Sequence, residues 1–124
     1  MTYTTKFIDA NIFIERWTNP AARELTDSLD ADEHHTSVLV LTEVYHKLAR
    51  KGVRTAFDYV RAIMGAAKVH DTNQNDLFNA MKNPVQMNIN DKIHLEVMMR
   101  NGISTIISYD KDFDRDKRVR REEP

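Results

Sequence analysis

Four acidic residues stand where this chain passes from one apolar run into the next. Asp9 closes Lys6-Phe7-Ile8, and Glu43 lies one turn into a helix that starts after Ser37. Asp91 opens the helix that stops at Gly102, and Asp110 closes the run from Ser104 to Tyr109. The runs ending in Asp9 and Asp110 are short and rich in β-branched or aromatic residues, as buried parallel strands are. Ligands of open α/β sheets bind outside the carboxyl ends of the strands. Acids that end neighbouring strands therefore converge in space although far apart in the chain. Carboxylates brought close together repel, and some must then hold protons at neutral pH. Mg²⁺ or Mn²⁺ relieves that repulsion by taking hard oxygen ligands while keeping several waters. An ion so held lowers the pKa of a bound water, orients it toward phosphorus and neutralises charge on the leaving oxygen. The chemistry expected of such a cluster is phosphodiester hydrolysis.

Each acid also has a plainer explanation. Asp9 is a good cap for the helix after it, and Asp91 sits where a capping-box acid would follow Asn88. Glu43 precedes Lys47 by four residues, the spacing of an exposed helix pair, and lies opposite the apolar stripe Leu41/Val44/Tyr45/Leu48. Asp110, Asp112 and Asp114 suit a turn. The joint placement is what favours the cluster.

The elements that must position these acids follow from periodicity and caps. Lys6–Asp9 reads as a strand, Ala10 to Trp17 as a helix, and Asn19-Pro20 as the cap and first residue of a helix running to about Leu29. Thr36-Ser37-Val38 passes from strand into a helix that Gly52 stops. A helix over about Arg54–Ala66 carries Phe57, Val60, Ile63 and Met64 as its apolar stripe. Ala67–His70 is a brief strand, and Thr72 or Asn73 caps a helix through about Lys82 that Asn83-Pro84 breaks. Asn88 caps the helix bearing Asp91, and Asn101-Gly102 stops it. Strand Ser104–Tyr109 follows, then a charged tail from about residue 115 in which Arg118-Val119-Arg120 is a candidate edge strand. Strands alternating with helices imply a parallel sheet covered on both faces.

At 124 residues the chain fits a single domain with a real core. No apolar run approaches the roughly 18 residues of a membrane span, and no leader pattern is visible, so a cytoplasmic location is expected. The chain has no cysteine, which excludes disulfides, Cys-ligated zinc and thiol catalysis. Its five histidines lack HExxH-type spacing, and His94, between Ile93 and Leu95, reads as a packed helix residue. With a net charge of −1, a polyanion has to be held by local cations. Candidates are Lys47, Arg50, Lys51 and Arg54 near one helix end, and Lys111, Arg115, Lys117, Arg118, Arg120 and Arg121 in the tail. Most of these are read as solvated surface, with a subset binding phosphates.

Phe7–Phe13, Thr36–Val44, Asn90–Leu95 and Thr105–Asp114, in this order and at these separations, resemble the PIN-domain family, and in size its VapC-type toxins from prokaryotic toxin–antitoxin pairs. The resemblance implies a three-layer α/β/α sandwich around a short, mostly parallel sheet and a metal-dependent ribonuclease activity. Its acidic pattern falls on Asp9, Glu43, Asp91 and Asp110, its supporting polar positions on Asn11 and Ser108, and a further acid on Asp112. It also implies an RNA substrate, an antitoxin partner and a homodimer, for which the apolar residues of the Asp91 helix (Ile93, Leu95, Val97, Met98, Met99) offer a contact if they are not core. Lys92 and Glu96 depart from the small residues usual after the third acid.

On this reading Asp9, Asp91 and Asp110 bind Mg²⁺ or Mn²⁺ directly or through water, Glu43 completes the cluster, and Asn11 and Ser108 orient its members. The rival readings are a non-catalytic PIN-like module that binds RNA or protein, and an Asp-dependent phosphatase. Haloacid-dehalogenase-like phosphatases require a second Asp two residues after the first, where this chain has Asn11.

Overall fold

The computed structural model describes residues 4–124. Five strands form one parallel sheet: β1 (Lys6–Ile8), β2 (His34–Ser37), β3 (Lys68–His70), β4 (Thr105–Ile107) and β5 (Arg120–Glu122), in the order β3-β2-β1-β4-β5. Between them run α1 (Ala10–Ile14), α2 (Pro20–Asp27), α3 (Val38–Arg50), α4 (Ala56–Ala66), α5 (Gln74–Lys82) and α6 (Ile89–Arg100).

The chain lays β2 and β3 on one side of β1, then crosses back to place β4 and β5 on the other. Right-handed crossovers therefore set α1–α4 and α5–α6 on opposite faces of the sheet, giving three layers. The reversal makes the gap between β1 and β4 a topological switch point, the place where parallel sheets bind ligands. Phe7 pairs with Ile106 and Ile8 with Ile107, so Asp9 and Ser108 leave the sheet side by side. Phe7, Ile8, Ile106 and Ile107 are buried together with Val40, Val44 and Leu48 of α3 and Leu95, Val97 and Met98 of α6.

Caps set the helix starts. Asn19, Ser37, Asn73 and Asn88 each accept a backbone N–H from the first turn of the helix that follows. Gly52 and Gly102, both with positive φ, follow the ends of α3 and α6, where a left-handed residue closes the helix.

Several sequence expectations change in the fold. The first helix is α-helical only to Ile14 and tightens to a 3-10 turn over Glu15–Trp17. The last strand is Arg120–Glu122, two residues beyond the segment expected, because it pairs with β4 from Thr105 to Ile107. The apolar stripe of α4 is only half used: Ile63 is buried, but Phe57 and Met64 are exposed. Tyr45 of α3 is likewise exposed. By contrast α6 is buried around most of its circumference, so Ile93, Leu95, Val97 and Met98 belong to the core and not to a free dimer surface. Lys92 and Glu96 do not simply face water: Lys92 Nζ donates to the Asn83 carbonyl at 2.7 Å, and Glu96 pairs with Arg118 at 3.3 Å.

Candidate active site

Asp9 ends β1 and caps α1, so the structural and chemical readings of this residue coexist. Its Oδ1 accepts the Ala10 N–H at 2.8 Å. Its Oδ2 accepts the Ser108 hydroxyl at 2.8 Å and the Asn11 amide at 3.1 Å. Asn11 also donates to Ser108 Oγ at 3.1 Å and accepts the Tyr109 N–H at 3.2 Å. The Ser108 oxygen takes the Asp110 N–H at 3.0 Å. These bonds weld the end of β1 to the end of β4 and fix the carboxylate of Asp9 in one orientation.

Asp91 lies in the first turn of α6. Asn88 accepts its N–H at 2.9 Å, and the Asn88 side-chain amide donates to Asp91 Oδ2 at 2.8 Å. The expected capping box is thus altered, with the acid held by the cap's own side chain. Asp110 accepts the Asp112 N–H at 2.9 Å and caps the short 3-10 turn after it. The Asp112 side chain is half-buried and pairs with Arg115 at 3.3 Å.

Glu43 reaches from α3 across to α6. Its Oε1 lies 2.7 Å from Nε2 of His94, and its Oε2 accepts the Asn90 amide at 3.3 Å. His94 is fully buried, tilted against the Phe7 ring at 6.0 Å, with Nε2 also 3.9 Å from Asp9 Oδ1. The sequence reading of His94 as a packed residue holds for its burial, but it missed the partner. The available signal was its spacing, one turn after Asp91 on the same helix face. Asn88 was expected as a cap but not as a donor to Asp91, and Asn90 was missed as a donor to Glu43 because nothing local marks a residue as reaching another element.

The charges respond to this crowding. Burial pushes the Asp9 carboxyl above its ordinary value, against the opposing pull of His94 and the Ser108 and Ala10 hydrogen bonds. Asp91 is pushed up to about 7 by burial and by the negative charge of Asp9, with Asp110 and Glu43 adding to it and His94 opposing. Burial alone would deprotonate His94 and protonate Glu43. The hydrogen bond between them outweighs it, helped at His94 by the charge of Asp9 and at Glu43 by the Asn90 amide and Lys47, so His94 is raised and Glu43 lowered. His94 Nε2 and Glu43 Oε1 share this one short hydrogen bond, while His94 Nδ1 is buried without a partner.

Asp9, Asp91 and His94 each offer an atom within 4.8 Å of the others. Asp110 joins them through Ser108 and by its charge at Asp91, and Glu43 through His94. Of the acids expected from the sequence, Asp9 and Asp91 fall in this group and Glu43 and Asp110 lie outside it, while Asp112 contributes its backbone to Asp110 and its carboxylate to Arg115.

Comparison with solved structures finds the same fold in several toxins. VapC20 of Mycobacterium tuberculosis, described as a sarcin–ricin loop cleaving toxin, superposes with a TM-score of 0.71 at 22% identity, covering 89% of this chain and 93% of that one. DNA-bound VapBC from Salmonella typhimurium gives 0.74 at 13% identity, covering 96% and 97%. VapBC2 from Rickettsia felis, bound to a fragment of its promoter DNA, gives 0.71 at 12% identity, covering 96% and 98%. No curated protein sequence matches significantly. The PIN domain profile matches residues 6–118. With that match spanning nearly the whole chain, over a parallel sheet whose switch point gathers Asp9 and Asp91, this protein belongs to the PIN-domain family.

Proposed function

We propose that this protein is a divalent-metal-dependent endoribonuclease acting as the toxin of a toxin–antitoxin pair. One observation carries the reading. Two buried carboxylates, Asp9 and Asp91, from different elements each offer an oxygen within 4.8 Å of the other. Among the described residues, His94 is the one basic side chain within ion-pair distance of either, and it is hydrogen-bonded to Glu43.

The donor set suits a hard cation. Asp9, Asp91 and Asp110 would hold Mg²⁺ or Mn²⁺, with Glu43 completing the cluster. His94 is close enough to be a ligand by distance, but its Nε2 is engaged by Glu43 Oε1 at 2.7 Å, which favours the oxygen ligands. When bound, the ion supplies charge neutralisation at the phosphate and a water of lowered pKa.

The chain's own residues do the rest. Ser108 and Asn11 aim Asp9 Oδ2, and Asn88 aims Asp91 Oδ2, as outer groups that orient metal ligands do. Asp9 spends both oxygens on hydrogen bonds, an arrangement for a fixed ligand and not for the nucleophile of a phosphatase. The antitoxin partner is supported by relatives of the same fold whose structures are toxin–antitoxin complexes. A homodimer is supported by exposed apolar residues on α4 and α5, among them Phe57, Met64, Phe78 and Met81.

The test is RNA cleavage by the purified protein with Mg²⁺ or Mn²⁺, with chelator, and by Asp9→Asn. Cleavage that chelator stops and that folded Asp9→Asn lacks supports the reading. Chelator-resistant cleavage, or an Asp9→Asn variant as active as the parent, sinks the metal assignment. Binding of RNA without cleavage favours a non-catalytic module. Co-purification with a small DNA-binding protein encoded beside it tests the partner.

A further inference from the structure

Ten cations had equal standing in the sequence as phosphate contacts, and the fold separates them. In the tail, Arg115 is taken by Asp112 and Arg118 by Asp116 and Glu96. Arg120 is taken by Glu122, and Arg121 by Asp114 and Glu123. Their charge is largely neutralised within the protein. Lys47, Arg50 and Lys51 are different. All three are exposed and, like Arg54, Lys111 and Lys117, have no carboxylate within ion-pair distance among the described residues, but of these six they alone line a cleft with Asn11.

These three residues line one cleft of about 400 Å³ between α1 and the C-terminal end of α3, together with Asn11, Ile14 and Glu15. The volume falls in the range of natural ligand sites, roughly 300–1,000 Å³. Asn11 belongs to both places: it lines the cleft and hydrogen-bonds Asp9 and Ser108 in the acidic centre. Lys47 follows Glu43 by one helical turn, so α3 carries the acidic centre and the basic cleft in succession. Glu15, the one acid of the lining, accepts a hydrogen bond from Thr18 at 3.0 Å.

A simpler role exists for Lys47 and Arg50. Basic residues in the last turn of a helix complement its dipole, worth about 0.3–1 kcal/mol. That accounts for their charge, but not for a concave site opening from the acidic centre with its cations unmatched.

We propose that this cleft holds the sugar–phosphate backbone of the RNA on one side of the bond to be cut. Lys47, Arg50 and Lys51 are its phosphate contacts, and Asn11 is the junction with the acidic centre. The inference rests on the ribonuclease reading and adds the path of the substrate. A backbone contact of this kind positions the strand without selecting bases. The acidic centre repels a polyanion, and unmatched cations beside it offset that repulsion.

The experiment compares the parent with Lys47→Gln/Arg50→Gln/Lys51→Gln and with a control of equal charge loss away from the cleft, Arg23→Gln/Arg61→Gln/Lys68→Gln. Binding of a labelled single-stranded RNA is followed across a salt series in chelator, and cleavage is followed with Mn²⁺. Thermal melting establishes that both variants fold. Single strands lose affinity with a log–log slope of about −0.7 per phosphate contact, so the cleft variant is expected to have a slope shallower by about 2. Its loss of activity is expected in KM, on the order of tenfold or more, while the control keeps the parent's slope and KM.

A parent that cuts RNA, with cleft and control variants alike in slope and KM, overturns the cleft and leaves the ribonuclease standing. A parent that binds RNA through the cleft but never cuts it overturns the ribonuclease and leaves the cleft. A parent that neither binds nor cuts overturns both.

Discussion

Glu43 Oε1 and His94 Nε2 meet at 2.7 Å, joining α3 to α6 across the layer boundary at the rim of the acidic centre. The imidazole is fully buried and Glu43 half-buried. Removing one partner of such a pair strands the other. Glu43→Ala is expected to destabilise the fold by roughly 1–3 kcal/mol, below the value for a wholly buried pair because Glu43 reaches solvent. It is also expected to lower the pKa of His94, which NMR titration of the imidazole reads directly. An unchanged His94 titration would contradict the ion pair.

The raised Asp91 sets a pH dependence with a definite sign. Its ordinary value is 3.8 and in the fold it is about 7, so between these the native state binds the extra proton. Stability from this group is therefore full below 3.8 and is lost as pH rises through about 7. Asp91→Asn keeps the shape and removes the charge. In chelator at pH near 8 it is expected to melt higher than the parent, by roughly 1–3 kcal/mol once solvent screening is allowed for. RNA cleavage should be abolished in the same variant. Equal stability of parent and variant at alkaline pH would mean that the carboxylates do not repel as described.

Ser108 serves three partners: it donates to Asp9 and accepts from Asn11 and the Asp110 N–H. Ser108→Ala leaves that N–H without its acceptor and frees Asp9 Oδ2 from one donor. A loss of about 1–2 kcal/mol in urea unfolding is expected, with cleavage reduced on the order of 10–100-fold. Wild-type cleavage by this variant would show that the orientation of Asp9 does not matter.

A second histidine pair behaves in the opposite way. His35 Nδ1 lies 2.8 Å from His70 Nε2 across β2 and β3, and both are lowered from 6.5, first by burial and then by neighbouring positive charge. Two charged rings cannot share that contact. The stability they provide is present above 6.5 and is lost as pH falls through their lowered values. Asp91 changes in the reverse sense over part of this range, so the parent alone is uninformative. The difference between parent and His70→Phe isolates the pair, and it should shrink on going from pH 7.5 to about 5. A difference independent of pH would rule the shared contact out.

The exposed apolar residues of α5 give a test of pairing between copies. Phe78 and Met81 are 55% and 61% exposed. Phe78→Glu/Met81→Glu should shift the mass measured by light scattering from dimer to monomer without unfolding the protein. If the parent is already monomeric at micromolar concentration, the homodimer is excluded under those conditions.

The sequence by itself determined what depends on neighbours a few positions away. The strand end at Asp9, the caps Asn19, Ser37 and Asn88, and the stops at Gly52 and Gly102 are decided by backbone donors and side chains within about one helical turn, whereas β4 stops at Ile107, short of the Tyr109 end expected. The alternation of strand and helix was enough for a covered parallel sheet, and through it for Asp9 and Asp91 gathered at one rim. Tertiary structure alone decided who meets whom. Asn11 bonds Ser108 across 97 positions and His94 bonds Glu43 across 51. Phe57 and Met64 share the periodicity of Ile63, yet only Ile63 found a layer to pack against. The tail arginines pair mostly with acids two to seven positions away, a local pattern, and only the Arg118–Glu96 contact was supplied by the fold. The physical reason is common to all that the fold supplied: a side chain's charge state and burial are set by whatever the chain topology folds against it, and that information lies in distant residues.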